Sequence, residues 1–291
     1  MAAALAFEVG AATDIGLHRA VNEDALIAEF PVFAVADGMG GHEAGDRASA
    51  AVVGALGALV GRRHPDAEDV RATIETAHAR VRGIVTSTDR GAGSTVAGLT
   101  VLEPEGQHPH WLVFHIGDSR VYRMRAGALE QLTVDHSLGQ QLIDAGLLAP
   151  EELPGYRGRN VITRAVGADD SDPDLLTLPI AAGDRMLLCS DGLTREVPDP
   201  AIAEQLAGRR PPQQTAEALV GLALAAGGHD NVTVLVVDVV AGAPAGPDRC
   251  AAVPDAGPPD AGPPDAGPPG AAPPIDEDTL ESPRRRDRGR P

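Results

Sequence analysis

A chain of 291 residues is long enough for one large domain or two small ones. Its net charge of −18 is the wrong sign for a nucleic-acid backbone, and all 24 basic residues are arginine, which excludes a Walker A lysine, a Schiff-base lysine and a protein-kinase catalytic lysine. Two cysteines, Cys189 and Cys250, make no disulfide framework, and the absence of any run of 18 apolar residues or a long enough signal-peptide core leads us to expect a cytoplasmic protein that does not enter a membrane.

Along the chain, Leu5–Ala12 and Asp24–Val35 alternate or run apolar and are expected to be strands. Gly41–Arg62 and Asp66–Ser87 carry apolar residues at helical spacing, the second opened by Pro65-Asp66. Thr95–Leu102, Trp111–Ile116, Ser119–Arg125 and Leu129–Leu132 follow as four strands in hairpin spacing, with turns at Glu105-Gly106, Gly117-Asp118 and Ala126-Gly127. Ser137 is expected to cap a short helix ending at Gly146, and residues 150–158 to be irregular. Strands resume at Asn160–Ala165, Leu175–Pro179 and Arg185–Ser190. Helices span Pro200–Ala207 and Pro212–Ala226, and Asn231–Val239 is the last strand.

Hairpins with long helices inserted between them fit an α+β fold, two antiparallel sheets packed face to face and flanked by helices, rather than a doubly wound sheet. Past about Val240 the composition changes. Residues 241–291 hold Pro-Asp-Ala-Gly-Pro three times, then Asp276–Asp278, then Arg284-Arg285-Arg286. With almost no large apolar side chains this segment cannot offset its ordering entropy, so we expect a domain at 1–240 and a disordered tail at 241–291. The tail holds nine acids and six arginines, which leaves −15 of the net charge upstream.

Three apolar runs meet an aspartate at one end: Val32–Ala36 at Asp37, Arg185–Ser190 at Asp191, and Asn231–Val237 at Asp230. Three strand ends can thus bring three carboxylates to one sheet edge, where they repel one another unless a cation lies between them. Oxygen ligands without cysteine favour a hard ion, Mg²⁺ or Mn²⁺, over zinc. Gly38, in Asp37-Gly38-Met39-Gly40-Gly41-His42, lets a backbone carbonyl approach such an ion. The lack of a Gly-x-Gly-x-x-Gly pattern there argues against a dinucleotide. Arg19, followed by Glu23 and Asp24, is either a phosphate grip beside the metals or half of a surface salt bridge in a turn. Asp118-Ser119 by itself is turn chemistry. His115, His136 and His229 are taken as packing or surface residues. Asp135-His136-Ser137 are chain neighbours on a loop, which does not make a hydrolase triad.

Taken together and in this order, these segments closely resemble the bacterial form of the metal-dependent serine/threonine protein phosphatases, the PPM or type-2C family, over about residues 5–240. Leu132–Ser137 and Arg159–Gly167 belong to the same resemblance. It implies a four-layer αββα sandwich and hydrolysis of phosphoserine and phosphothreonine on proteins by water activated between two Mn²⁺ or Mg²⁺ ions. Asp37 then bridges the two ions, the Gly38 carbonyl binds one, and Asp191 and Asp230 bind the other. Asp118, with Asp191, holds a weaker third ion. Arg19 grips the substrate phosphate and His42 is the general acid. Glu23, Asp24 and Asn231 stand behind the ligands, and residues 137–158 form a flap. The implied partners are Ser/Thr-phosphorylated proteins, among them a Ser/Thr kinase, with the enzyme itself monomeric. The alternative of a catalytically inactive, phosphoprotein-binding relative is opposed by the intact Asp37, Asp191 and Asp230. A third reading, an interaction module centred on the tail, is tested by deleting residues 241–291.

Overall fold

Two-residue alternation in the apolar runs decides which way each strand faces, and here both faces are apolar because each sheet is covered on both sides. The computed structural model describes residues 5–40, 44–63, 65–84, 91–103, 108–242 and 251–253. The strands are β1 (Ala6–Asp14), β2 (Asp24–Glu29), β3 (Val32–Met39), β4 (Gly93–Ser94), β5 (Val96–Leu102), β6 (His110–Ile116), β7 (Arg120–Arg125), β8 (Ala128–Gln131), β9 (Asp174–Pro179), β10 (Arg185–Cys189), β11 (Val232–Ala241) and β12 (Ala251–Ala252). The helices are α1 (Gly45–Leu56), α2 (Ala67–Arg82), α3 (Leu138–Asp144), α4 (Asp191–Thr194), α5 (Asp199–Ala207) and α6 (Pro212–Ala226). One sheet runs β1-β11-β10-β7-β8 and the other β12-β9-β6-β5-β3-β2, with β4 paired to β3; the neighbouring strands are antiparallel.

Alternation along β10 and β11 builds two cores from the same strands. Met186, Leu188, Leu235 and Val237 pack against Phe33, Val35, Leu99 and Val113 of the facing sheet. Leu187, Cys189, Val234 and Val236 face Ile202, Leu206, Leu219 and Ala223 of α5 and α6. On the other side Val52, Leu56, Val70 and Ile74 of α1 and α2 cover Ala34, Leu112, Phe114 and Ile116. The order is therefore helices, sheet, sheet, helices, as expected.

Asp66 caps α2, its Oδ1 accepting from the Asp69 N–H at 2.8 Å while Asp69 Oδ2 accepts from the Asp66 N–H at 3.2 Å. Ser137 caps α3 by accepting from the Gln140 N–H at 3.2 Å. The β7–β8 turn at Ala126-Gly127 has φ of 50° and 86°, the two-residue hairpin geometry that fits the strand twist.

Several expectations need correction. Asp24–Val35 is not one strand but the hairpin β2–β3, turned at Phe30-Pro31, where proline has no N–H for a ladder. Asn160–Ala165 is not a strand: it forms a single bridge, Ile162 to Ser137, and its backbone bonds go to the start of α3 and the loop before it, Val161 O accepting from Leu138 and Thr163 N–H donating to His136 O. The helix expected from Gly41 begins at Gly45, and α4 had no sequence signal of its own. Ala251–Ala252, assigned to the tail, pair with Thr177 and Leu176 at the edge of β9. Residues 1–254 form one unit and 255–291 another. The Glu105-Gly106 turn, His42, Cys250 and the Pro-Asp-Ala-Gly-Pro repeats lie outside the described residues.

Candidate metal centre

The β2–β3 register sets Asp24 directly across from Asp37, at the end of β3 where it leaves the core. On the facing sheet β10 ends at Cys189, so Asp191 opens α4 immediately beyond it, and Asp230 precedes β11 beside it. Asp118 lies in the β6–β7 turn next to β10. Asp37, Asp191 and Asp230, with Arg19 and Glu23, line one cavity of about 560 Å³. Asp118 and Asp191 line the adjoining recess of about 220 Å³.

Two close approaches explain the glycines of the aspartate motifs. A Cβ on Gly38 would sit 1.9 Å from the Gly45 carbonyl oxygen, and one on Gly192 would sit 1.9 Å from that of Asn231. Each aspartate is held by backbone packing that no larger residue permits.

Behind the carboxylates runs a chain of hydrogen bonds. Asn231, buried, accepts from the Glu23 N–H at 2.8 Å and donates to the Ile15 and Val21 carbonyls at 2.9 and 3.0 Å. It fastens the 15–23 loop, and with it Arg19, onto the start of β11. Ser190 Oγ donates to Asp24 Oδ2 at 2.7 Å and accepts from the Thr233 N–H at 2.9 Å. The Asp37 N–H donates to Thr95 Oγ1 at 3.0 Å. His229 stacks on His18 with ring centroids 4.8 Å apart and meets Glu196 at 2.7 Å, closing the same loop from the other side.

The cluster is electrostatically frustrated. Desolvation first, then Asp24, Asp191, Asp118 and Asp230, push the Asp37 carboxyl well above its ordinary range. Desolvation and then Asp118 do the same to Asp191. Asp118 is raised by desolvation, and Asp24 is raised to about 6 chiefly by burial. One oxygen each of Asp24, Asp118 and Asp191 is buried without a hydrogen-bond partner. Orphaned hard oxygens facing like charges are the chemistry that Mg²⁺ or Mn²⁺ satisfies, so the donor set fits such ions.

Two arginines already enter the cluster. Arg19 Nη2 donates to Asp230 Oδ2 at 2.7 Å and lies 3.9 Å from Glu23, its side chain 45% accessible. Arg195 was missed in the sequence. Four residues after Asp191 along α4 and its cap, it contacts Asp191 Oδ2, reaches Asp230 Oδ2 at 3.1 Å and lies 3.6 Å from Asp118 Oδ2. The available signal was its i,i+4 spacing from Asp191, but that spacing needs the unanticipated helix to mean anything.

A second set, His115, His136 and Asp174, has ligand atoms within 4.8 Å of one another. Its atoms are engaged: His115 Nε2 meets the Val134 carbonyl at 2.8 Å, His136 Nδ1 accepts from the Gly117 N–H at 3.1 Å, and Arg164 reaches Asp174 at 2.7 Å and His136 at 3.3 Å. Arg164 supplies the cation, and the set fixes the turn that carries Asp118. The triad reading of 135–137 fails on geometry. Asp135 forms a two-pronged pair with Arg120 at 2.8 and 2.6 Å, His136 faces Asp174, and Ser137 caps α3.

Comparison with known proteins agrees with this architecture. The family model for protein phosphatase 2C matches residues 18–220. The serine/threonine protein phosphatase PstP of Mycobacterium tuberculosis is 39% identical over 250 residues, which cover 81% of this chain but 46% of that protein, so the chain spans about half the length of this relative. The protein phosphatase PhpP of Streptococcus pneumoniae is 34% identical, with 80% of this chain and 97% of that one covered. The solved catalytic domain of PstP in complex with two manganese ions superposes with a TM-score of 0.73 at 36% identity, covering 81% of this chain and all of that one. On sequence and fold alike, the chain belongs to the protein phosphatase 2C family.

Proposed function

We propose that this chain is a metal-dependent phosphatase that removes phosphate from serine and threonine residues of proteins. One observation carries the reading: Asp191, with one carboxylate oxygen buried and unpartnered, joins Asp37 and Asp230 on an open cavity of about 560 Å³ that the half-exposed Arg19 also lines. Asp37, the Gly38 carbonyl, Asp191 and Asp230 would hold two ions. When bound, such ions supply Lewis-acid charge and a water of lowered pKa. The rest falls to the protein. Arg19, swung from Asp230 to the substrate, binds phosphoryl oxygens in its fork and absorbs the charge that develops on them. Asn231 keeps the Arg19 loop in register with Asp230, and Glu23 and Asp24 stand behind the ligands. The proton for the departing serine or threonine oxygen is assigned to His42 by the family resemblance alone.

The decisive experiment is hydrolysis of p-nitrophenyl phosphate and of a phosphothreonine peptide with EDTA, Mg²⁺ and Mn²⁺ in parallel. Turnover that needs the metal and disappears in Asp37→Ala is the expected result. A folded protein with no turnover in any metal points to the phosphoprotein-binding alternative, whose one structural support is the guanidinium of Arg195 among the carboxylates. A Ser/Thr kinase as counterpart, a monomeric state and a cytoplasmic site of action belong to the same proposal. No helix among the described residues is long and apolar enough to cross a membrane. We assign residues 255–291 no part in the chemistry, and their deletion is expected to leave peptide turnover unchanged.

A further inference from the structure

Arg195 makes one positive charge serve three acids: Asp191 Oδ2 in direct contact, Asp230 Oδ2 at 3.1 Å and Asp118 Oδ2 at 3.6 Å. It folds back on Asp191 from the cap of α4, whose backbone N–H donates to the Asp191 carbonyl at 2.9 Å. The guanidinium therefore spans the Oδ2 atoms of Asp118 and Asp191, leaving Asp191 Oδ1, buried and unpartnered, to the larger cavity it shares with Asp37 and Asp230, while Asp118 lines the smaller recess with Arg195. Charge points the same way. Glu23, Asp24, Asp37, Asp118, Asp191 and Asp230 face Arg19 and Arg195, which leaves four negative charges, matching two divalent ions. A third ion would have to displace a cation tethered four residues from its partner, and such tethers act at effective concentrations of about millimolar or more.

We propose that Arg195 is a tethered cation filling the position between Asp118 and Asp191, so that the centre takes up two divalent ions and Asp118 serves as an arginine partner rather than a metal ligand. This rests on the two-ion reading above and departs from the third ion implied by the sequence resemblance. Arg195 thereby fixes how many ions the centre holds, and it holds Asp191 and Asp118 in place when the ions leave.

The test counts Mn²⁺ bound to the full chain, stripped with EDTA and dialysed against Mn²⁺ up to the millimolar range. The unaltered chain is expected to saturate at two ions. Arg195→Gln is expected to add a third, weaker class, which Arg195→Gln with Asp118→Asn removes again. Asp118→Asn alone leaves the count at two. Three ions in the unaltered chain, the weakest lost in Asp118→Asn, would overturn the proposal, as would a count of two in both the unaltered chain and Arg195→Gln. Should Arg195→Gln fail to fold, Asp118→Asn alone decides: an unchanged count supports the proposal and a lost ion overturns it. Fewer than two ions in the unaltered chain would instead overturn the two-ion reading, and this inference with it.

Discussion

Strands β10 and β11 carry charged clusters at both of their ends, and the two ends are built on opposite plans. At one end Arg185 pairs with Asp238 through two bonds of 2.6 Å, and its remaining donors reach the Leu206 and Arg210 carbonyls. Arg125 grips Asp184 beside it. At the other end Asp191, Asp118 and Asp24 each keep a buried oxygen without a partner. Cavities of nearly equal size, about 570 and 560 Å³, open at the two ends. Volume does not tell them apart; hydrogen-bond satisfaction does. A charge cluster that satisfies itself has little left to offer a ligand, whereas one left unsatisfied keeps acceptors that suit a cation, which is what the proposed function assigns to it.

The sharpest break of this contrast is Asp37→Asn. As an isostere it keeps shape and removes one of the mutually repelling charges. Turnover is expected to fall by ~10²–10³-fold or more, the scale on which a preorganised electrostatic element is lost. In EDTA, the same substitution is expected to raise Tm, at roughly 2–4 °C per kcal/mol for a domain of this size. Loss of activity together with a lower metal-free Tm would mean that the acids are structural, and the contrast between the ends would collapse.

Asp238→Ala probes the other end. It strands the Arg185 guanidinium, whose side chain is 8% accessible, and removing one partner of such a buried pair costs about 3–5 kcal/mol. Thermal melting is expected to fall by roughly 10 °C, while kcat/KM of the folded fraction stays within about twofold. An unchanged Tm would show that the pair is not structural.

A third cluster sharpens the rule. His115 is stacked on His136 at 4.5 Å and its pKa is lowered to about 4 by burial first and then by His136, against the pull of the Val134 carbonyl, Asp174 and Asp135. The folded value lies below the unfolded one, so the unfolded chain binds the proton first. Stability is therefore full above about 6.5 and is lost as pH falls from there to about 4, by roughly 3 kcal/mol in all. In melts between those limits, His115→Gln is expected to flatten the acid limb relative to the parent chain. Parallel curves for the two would refute a neutral buried His115.

Period and punctuation made most of this fold legible. The expected strands coincide with β1, β5, β6, β7, β8, β9, β10 and β11 to within a few residues, because their apolar runs are bounded by turn residues. The reading failed where tertiary pairing overrides local pattern. Val161-Ile162 is as apolar as an edge strand but finds its partners at the start of α3, and Ala251–Ala252 have no strand signal yet complete the edge of β9. In the cluster, the motif aspartates were visible because each punctuates an apolar run. Arg195 was not, since an arginine after Thr194 is unremarkable until α4 turns it back onto Asp191. Asn231 announced itself only as a neighbour of Asp230, and its three-way stapling of the 15–23 loop depends on contacts more than 200 residues apart in sequence.

That stapling bears on the smallest effect expected here, at Arg19. Its bond to Asp230 is short at 2.7 Å, but nearly half the side chain is open to water, so the pair adds little to stability. Arg19→Ala should leave Tm within about 1 °C. In the proposed function its work lies in the complex, where a charge-assisted fork to a phosphoryl group contributes about 1.5–3 kcal/mol. If Arg19 grips the ground-state phosphate as well as the transition state, KM rises more than kcat falls, and kcat/KM drops by roughly 10- to 100-fold. Phosphate inhibition should weaken by a similar factor, because free phosphate presents the same oxygens. Asn231→Ala then separates grip from placement: Arg19 is present but its loop is loosened from β11, so both kcat and KM should suffer. A kcat loss in Arg19→Ala with KM and phosphate inhibition untouched would assign the arginine to the transition state alone.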